Sequence, residues 1–196
     1  MGGQKEKVVC RSCGKAHEID FTGSVDVSAS PELKQKVKSG EMFLWTCPEC
    51  GSANLLGFPF LYHDPDEKLM ILLTTASIRS EGLPDGYTGR IVHSVGELIE
   101  KINIFDSGLD DVVIEMCKYV TRHELGKDVP LKFFKLDGAD SEMTFTYPED
   151  GQMQMVEVGF KVYGDCAGIV NRNPLMKEAA QGLVAVDSGW LSRFLA

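Results

Sequence analysis

Three features of the sequence predict an α+β fold. Two Cys-x-x-Cys-Gly segments, at 10–14 and 47–51, are typical of the paired turns of a zinc ribbon. Apolar residues recur at helical spacing between 94 and 124, whereas they alternate with polar residues on both sides of that stretch. The predicted order is a zinc ribbon with an inserted helix, a β-hairpin, a two-helix segment and a C-terminal small β-meander with short helices.

The paired cysteines predict one tetrahedral Zn²⁺ site. A Cys-x-x-Cys turn directs both sulfurs toward one point, and the following glycine accepts the left-handed turn that aims backbone N–H groups at them. A catalytic zinc keeps one coordination position open, and four thiolates leave none. We therefore expect a structural zinc, no catalytic residue and no further cofactor, with the metal ligands Cys10, Cys13, Cys47 and Cys50.

Two other uses of these cysteines fit the sequence less well. Disulfides need an oxidising compartment, and a thioredoxin-like dithiol uses a single Cys-x-x-Cys at the start of a helix.

The 33 residues at 14–46 exceed the spacing of about 15 to 20 that is typical of this pattern, which indicates an insertion. Doubling a loop costs about 0.6 kcal/mol of closure entropy. A structural zinc contributes about 10 to 16 kcal/mol of apparent folding free energy, so the insertion does not threaten the site.

Length and composition predict a globular protein of the cytoplasm. The chain has 196 residues, is 43% hydrophobic and carries a formal net charge of −9, so it can bury a sizeable core. The first residues lack the apolar stretch of a secretory signal, and Glu6 replaces the Ser or Thr of a myristoylation motif. The longest apolar runs, 55–62 and 69–73, are too short to span a membrane.

The charge distribution argues against a nucleic-acid partner. Residues 1–60 hold seven basic and seven acidic side chains, so the whole net charge of −9 resides in 61–196. Recognition of DNA or RNA normally relies on a surplus of Lys and Arg that replaces counterions. This chain lacks such a surplus.

Local patterns predict the elements of the ribbon. Residues 7–9 form a short strand, and 16–27 alternate apolar and polar residues and should pair back along it. Ser30-Pro31-Glu32 supplies an N-cap, a first-turn proline and an acid, so a helix begins there and ends at Gly40. Residues 42–45 return as a strand to the second cysteine pair.

Turn residues then divide the chain into a hairpin, a loop and a strand. Residues 55–62 and 69–74 form the hairpin around the Asp64-Pro65 turn. Residues 77–89 are rich in Gly, Pro and charge, which predicts a surface loop, and 90–93 form a strand.

Two helices and a meander complete the prediction. Ser94 and Glu97 match a capping box, which predicts a helix to about residue 103, and an amphipathic helix follows at about 108–124. Later segments return to strand spacing or are weakly helical. The predicted strands are 131–136, 143–147 and 153–162, the helical stretch 165–180 is cut by Asn173-Pro174, and Asp187 or Ser188 caps a last short helix.

Several other residues have side chains suited to chemistry, but each has a simpler structural interpretation. His63 stands beside Asp64, as a general base beside a carboxylate would, yet a strand-end histidine before an Asp-Pro turn explains both. An acidic cluster could hold a hard cation, yet acids near a helix start usually form a solvated face that complements the helix dipole. Single cysteines are usually small buried hydrophobes. The acids are Asp106, Asp110, Asp111 and Glu115, the cysteines are Cys117 and Cys166, and His17, His93 and His123 show no ligand spacing to one another.

Five short segments occur together in this chain: Cys10-x-x-Cys13, Ser30-Pro31-Glu32-Leu33, Cys47-Pro48-x-Cys50-Gly51, Tyr62-His63-Asp64, and Leu109-Asp110-Asp111 with Ile114-Glu115. Over 8–125 this set resembles the CpXC-domain family of bacteria and archaea, which is named for two Cys-Pro-x-Cys motifs. The resemblance implies zinc-type chemistry and no defined biochemical role. Arg11 stands where the first motif has proline, and since proline stiffens the turn without supplying a ligand, the metal prediction is unchanged. We divide the chain into a CpXC-like domain at 1–128 and an α+β region at 129–196, packed on the first.

Three functions compete at this point. The first is a structural-zinc protein-interaction module whose protein partner is unidentified and whose oligomeric state the sequence does not fix; most of its aromatic residues at 43, 45, 58 and 60 should be core. The second is a nucleic-acid or transcription-associated zinc ribbon with a basic cluster on the phosphates. The third is an enzyme that uses His63 with nearby carboxylates, such as Asp110 or Asp111. The basic cluster consists of Arg11, Lys15, Lys34, Lys36 and Lys38.

Overall fold

The computed structural model describes residues 4–76, 82–138 and 142–195. Within these ranges the chain is mixed α+β, with several sheets and six α-helices, which confirms the predicted class. It divides into two compact units, Met1–Ile99 and Glu100–Ala196. The predicted domain division after residue 128 stays a prediction. None of the described helices is both long enough and apolar enough to cross a membrane.

The first unit consists mainly of short strands. In chain order its elements are β1 (Gln4–Val9), β2 (Ala16–Phe21), β3 (Ser24–Asp26), α1 (Pro31–Lys38), a 3-10 helix (Glu41–Phe43), β4 (Leu44–Thr46), β5 (Ala53–Leu55), β6 (Phe60–Asp64), β7 (Leu69–Leu73), β8 (Thr88–Val92) and the first part of α2 (Val95–Asp106). Two antiparallel ribbons, β1-β2 and β4-β5, carry the two cysteine turns. Four strands of the first unit lie side by side in the order β3-β6-β7-β8; the central pair, the predicted hairpin, is antiparallel, and the two pairs beside it are parallel.

Several predicted strands of this unit have other bounds. The segment 16–27 is two strands, because β3 leaves the ribbon and pairs in parallel with β6. Residues 42–43 belong to the 3-10 helix, so that strand begins at Leu44. The segment 55–62 is interrupted between β5 and β6, where Pro59 has no N–H to donate. Of the predicted loop 77–89, residues 77–81 lie outside the described ranges, and its end forms the start of β8.

The core of the first unit lies on one face of its sheet. Burial alternates along β6 and along β7, as a half-buried strand requires. Phe43 and Phe60 are buried and meet edge to face, with ring centroids 4.9 Å apart, whereas Trp45 and Phe58 are partly exposed. This packing fixes the 3-10 helix that leads into the second cysteine turn.

The second unit packs helices on a three-stranded antiparallel meander. Its elements after α2 are α3 (Asp111–Leu125), β9 (Lys132–Asp137), β10 (Glu142–Glu149), β11 (Gln152–Gly159), α4 (Phe160–Asn171), α5 (Pro174–Ala179), β12 (Leu183–Val184) and α6 (Ser188–Ser192). The meander has the order β11-β10-β9, as predicted, but the strand predicted at 153–162 ends at Gly159 because residues 160–162 begin α4. One apolar cluster, with Ile114, Phe145 and Trp190 among its buried members, joins α3 to the sheet and to the last helices.

Candidate metal centre

Two turns of the first unit have the same backbone hydrogen bonds. Residues 10–13 connect β1 to β2, and residues 47–50 connect β4 to β5. In each turn the N–H of the first cysteine donates to the carbonyl five residues later, and the glycine N–H donates to that cysteine's carbonyl, all at 2.9 Å. Gly14 and Gly51 have φ of 72° and 71°, a region that strongly favours glycine. The two Cys-x-x-Cys-Gly segments therefore form matching turns.

The two turns bring four sulfur atoms together. Cys10 Sγ lies 3.6 Å from Cys50 Sγ, and Cys13 Sγ lies 3.8 Å from Cys47 Sγ. All four sulfurs lie within 4.8 Å of one another, and none is in a disulfide. Four thiolates at about 2.3 Å from a tetrahedral metal stand about 3.8 Å apart, so the two close pairs already have that spacing. The four cysteines could therefore bind one metal ion.

The thiols of Cys10, Cys13 and Cys50 have different pKa values because they have different hydrogen-bond partners. The N–H of Cys13 is the main cause that lowers the pKa of Cys10 to about 6, and the Ser52 hydroxyl is the main cause that lowers the pKa of Cys50. The N–H of Lys15 also lowers the pKa of Cys13, but burial and the neighbouring thiols outweigh it and raise that pKa to about 11. Since a thiol must lose its proton to bind a metal, the donors around Cys10 and Cys50 favour binding.

Asn54 is a residue of this centre that the sequence did not reveal. Its side chain is buried, its Oδ1 accepts the N–H of Arg11 at 2.9 Å, and its Nδ2 donates to the Ser52 carbonyl at 2.9 Å. The same Nδ2 lies 3.6 Å from Cys10 Sγ. Asn54 thus ties the first turn to the second and offers an N–H to a thiolate. The available signal was a single polar residue inside the short strand after the second cysteine pair.

The surface of the centre carries a histidine and an ion pair. His17 Nε2 lies 3.7 Å from Cys47 Sγ, and its ring packs against Trp45. Lys15 and Glu49 form an exposed ion pair across the two turns. His93 and His123 have other neighbours, the Thr74 carbonyl and the Tyr119 ring. Each of the three histidines therefore has its own neighbours.

His63 is hydrogen bonded to partners other than its neighbour in sequence. Its Nδ1 lies 3.3 Å from Asp26 Oδ2, and its Nε2 lies 3.2 Å from the Tyr87 hydroxyl. Asp64 is buried and instead accepts from Lys34 Nζ at 3.1 Å and from the Glu67 N–H at 3.3 Å. The idea of His63 with Asp64 as a general base and its carboxylate is therefore wrong, and Asp64 closes the predicted Asp-Pro turn.

The solvated acidic face predicted at the start of α3 is wrong for two of its members. Asp111 is 1% exposed and accepts from Lys101 Nζ at 2.6 Å. Glu115 is 2% exposed and accepts from Lys118 Nζ, also at 2.6 Å. Asp110 is exposed and caps the helix by accepting the N–H of Val112. Across the described residues, the four cysteines are the one group of His, Cys, Asp or Glu close enough to share a metal ion.

Cys117 and Cys166 are buried in the second unit, as free cysteines usually are. The hydrogen bond from Cys166 and burial raise the pKa of Cys117. A raised pKa suppresses the nucleophilic thiolate, so Cys117 belongs to the packing of α3 against α4.

The chain was compared with protein families, curated proteins and solved structures. A family model described as "CpXC protein" matches residues 8–118, a stretch that contains both cysteine turns. No curated protein and no solved structure matches the chain.

Proposed function

This chain belongs to the CpXC protein family, and from that membership and the geometry of the cysteine cluster we propose that it binds one structural Zn²⁺ and acts as a protein-interaction module. The proposed ligands are Cys10, Cys13, Cys47 and Cys50. The observation that carries the proposal is the convergence of four free thiols within 4.8 Å. Such a site needs a reducing environment, so the proposal includes the cytoplasm.

Zinc is the metal that this donor set favours. Four thiolates in a tetrahedron suit Zn²⁺ or an iron centre, while Mg²⁺ and Ca²⁺ prefer oxygen ligands. A closed tetrahedral zinc site contributes directly to folding. The role of the metal is to hold β1-β2 against β4-β5.

Exposed apolar side chains on these ribbons supply the interaction surface. Val9 is 63% exposed, Leu44 is 54% exposed and Leu55 is 50% exposed. Leu44 and Leu55 are direct cross-strand partners, so they lie on the same face. Val9 and Leu55 line one groove of about 160 Å³. We define these three residues as the ribbon patch.

The charges beside the ribbon patch indicate the kind of partner. Lys7 and Arg11 line the same groove, and both side chains are exposed. A protein segment that presents an apolar side chain next to an acidic one would match this surface in both respects. The zinc centre would keep the patch rigid, because the strands that carry it lead directly into the two turns.

The other two functions have less support. Within the proposed basic cluster, Lys34 is paired with the buried Asp64 and Lys15 with Glu49, so fewer charges remain for phosphates. An enzyme that uses His63 would now rely on Asp26 and Tyr87, which face its two ring nitrogens.

The protein-interaction role is tested by substitution within the ribbon patch. We expect the wild-type protein to capture one partner stoichiometrically from a lysate of its source, and Leu55→Asp to lose that partner by about tenfold or more, the usual loss when a central apolar contact is removed. Leu175→Asp is the matched control, because Leu175 is 65% exposed on α5 and outside the patch. Capture that survives Leu55→Asp with unchanged zinc content would remove the interaction role while leaving the metal proposal intact.

A further inference from the structure

The two edges of the meander in the second unit differ. Along β9, the N–H of Phe133 donates to Glu100 Oε1 at 2.8 Å, and the carbonyl of Phe134 accepts from Asn103 Nδ2 at 3.2 Å. The pairing of β9 with β10 also shifts register at Thr144/Phe145. Side-chain caps, a bulge and nearby charge are the usual devices that stop a sheet edge from pairing with another chain. The β9 edge is therefore closed.

Within the described residues, the opposite edge, β11, has neither a side-chain cap nor a bulge. It pairs with β10 in regular register over eight residues, and its sequence contains a single charge, Glu157, and no proline. Among the described residues, no hydrogen bond from outside the meander reaches the backbone at 152–158. An uncapped edge of this length presents a row of N–H and C=O groups that can extend the sheet.

Exposed apolar side chains lie along the same edge. Met153 is 63% exposed and Met155 is 69% exposed, and because they are two residues apart they share the outer face of the strand. Val156 and Val158 lie on the other face. Val158 is buried in the apolar core, and Val156 is partly buried against it. The free backbone edge and the exposed methionines are independent observations, and both indicate that another strand pairs here.

We propose that β11 pairs antiparallel with β11 of a second copy of this chain, so that two meanders form one six-stranded sheet. An antiparallel two-fold arrangement presents the same edge from each side, so each edge complements itself. When the pairing is centred on Gln154, Met153 of each copy lies opposite Met155 of the partner subunit, which gives two pairs of methionines. Pairing centred on Met155 would instead set Met153 opposite Glu157 of the partner subunit, so the match of apolar side chains selects the Gln154 register.

The sequence of the strand permits this pairing without charge repulsion. In the Gln154 register the two copies of Glu157 lie at opposite ends of the paired segment, and each faces Gly151 of the partner subunit. A single pair of edge strands buries less surface than a standard interface of about 1,600 Å². The expected dimer is therefore in the micromolar range and reversible on dilution.

Sedimentation equilibrium of the full-length zinc-loaded protein, from micromolar to near-millimolar concentration, tests the proposal. We expect a monomer–dimer equilibrium in the wild type. Met155→Lys should raise the dissociation constant of the dimer about tenfold or more, because the two-fold axis places the substitution in the interface twice. Leu175→Lys, a change at a site of similar exposure on α5, should leave the equilibrium unchanged. Circular dichroism checks that each variant is folded.

A charge pair tests the register. In the Gln154 register, Met153→Lys/Met155→Glu brings opposite charges together across the axis and should retain the dimer, whereas Met153→Lys/Met155→Lys should abolish it. A wild type that stays monomeric at every concentration, or a dimer that Met155→Lys does not weaken, would overturn the proposal. Loss of the dimer in both double variants would overturn the Gln154 register.

Discussion

Replacing Cys47 by serine is expected to abolish stable zinc binding and to unfold the two ribbons of the first unit. Cys47 is 1% exposed, and its Sγ is 3.8 Å from that of Cys13, so serine leaves three thiolates and a buried hydroxyl at the site. A structural zinc contributes about 10 to 16 kcal/mol of apparent folding free energy, which is as large as the whole stability of a typical domain, about 5 to 15 kcal/mol. After dialysis against a chelator, the wild-type protein should retain one zinc ion per chain and Cys47→Ser should retain none.

Hydrogen exchange locates the structural consequence of this substitution. Amide protection should disappear in β1, β2, β4 and β5, whose pairing depends on the two turns. Cys166→Ala is the control for loss of a buried thiol elsewhere, and it should retain one zinc. Full zinc content and unchanged protection in Cys47→Ser would show that the metal does not hold the ribbons together.

Replacing Lys118 by methionine is expected to destabilise the second unit by about 3 to 5 kcal/mol, which is the usual cost when one partner of a buried ion pair is removed. Lys118 Nζ donates to Glu100 Oε1 at 3.0 Å and to Glu115 Oε1 at 2.6 Å, and the side chains of all three are at most 10% exposed. Without the ammonium group two buried carboxylates face each other. Urea unfolding at neutral pH measures the loss.

The pH dependence of the same variant gives a second test. Burial already raises the pKa of Glu115 in the wild-type protein, and removal of Lys118 takes away a charge that opposes this rise. A carboxyl group whose pKa is higher in the folded than in the unfolded state binds more protons when folded, so the free energy of unfolding rises as the pH falls. We therefore expect the variant to recover part of its stability on acidification toward the pKa of an ordinary glutamate.

An exposed ion pair provides the matched control for Lys118. Lys127 Nζ lies 2.6 Å from Glu149 Oε1, but the two side chains are 40% and 33% exposed. Pairs of this kind contribute about 0 to 1 kcal/mol, so Lys127→Met should cost no more than about 1 kcal/mol. Equal losses in the two variants would contradict the claim that burial, rather than pairing itself, makes Lys118 important.

Local signals in the sequence predicted much of the fold. The cysteine turns depend on spacing and on a glycine with positive φ, and both can be recognised within five residues. Half of the capping box forms as predicted, because Ser94 Oγ accepts the N–H of Glu97, three residues later. The Glu97 carboxylate reaches back to the Ser94 hydroxyl and to the N–H of His93. The order of the meander also followed from short strands and short turns.

Features that depend on distant residues could not be predicted in the same way. Asp111 and Glu115 have the spacing of a solvated acidic face, and only tertiary packing buries them and places Lys101 against Asp111. Lys118 is three residues from Glu115 on the same helix, so that pairing was visible in the sequence but its burial was not. His63 meets Asp26 because β3 pairs in parallel with β6, a contact that no local pattern announces. Asn54 accepts the N–H of Arg11, which lies 43 residues earlier in the chain, so this contact also depends on the folded arrangement of distant segments.

The central claim is that four sulfurs bind one zinc ion. The most direct test is X-ray absorption at the zinc edge on the purified protein, together with its metal content. We expect one zinc per chain with four sulfur neighbours at about 2.3 Å and no nitrogen or oxygen bound to the metal. A spectrum with fewer than four sulfurs, or a protein that folds fully without metal, would contradict it.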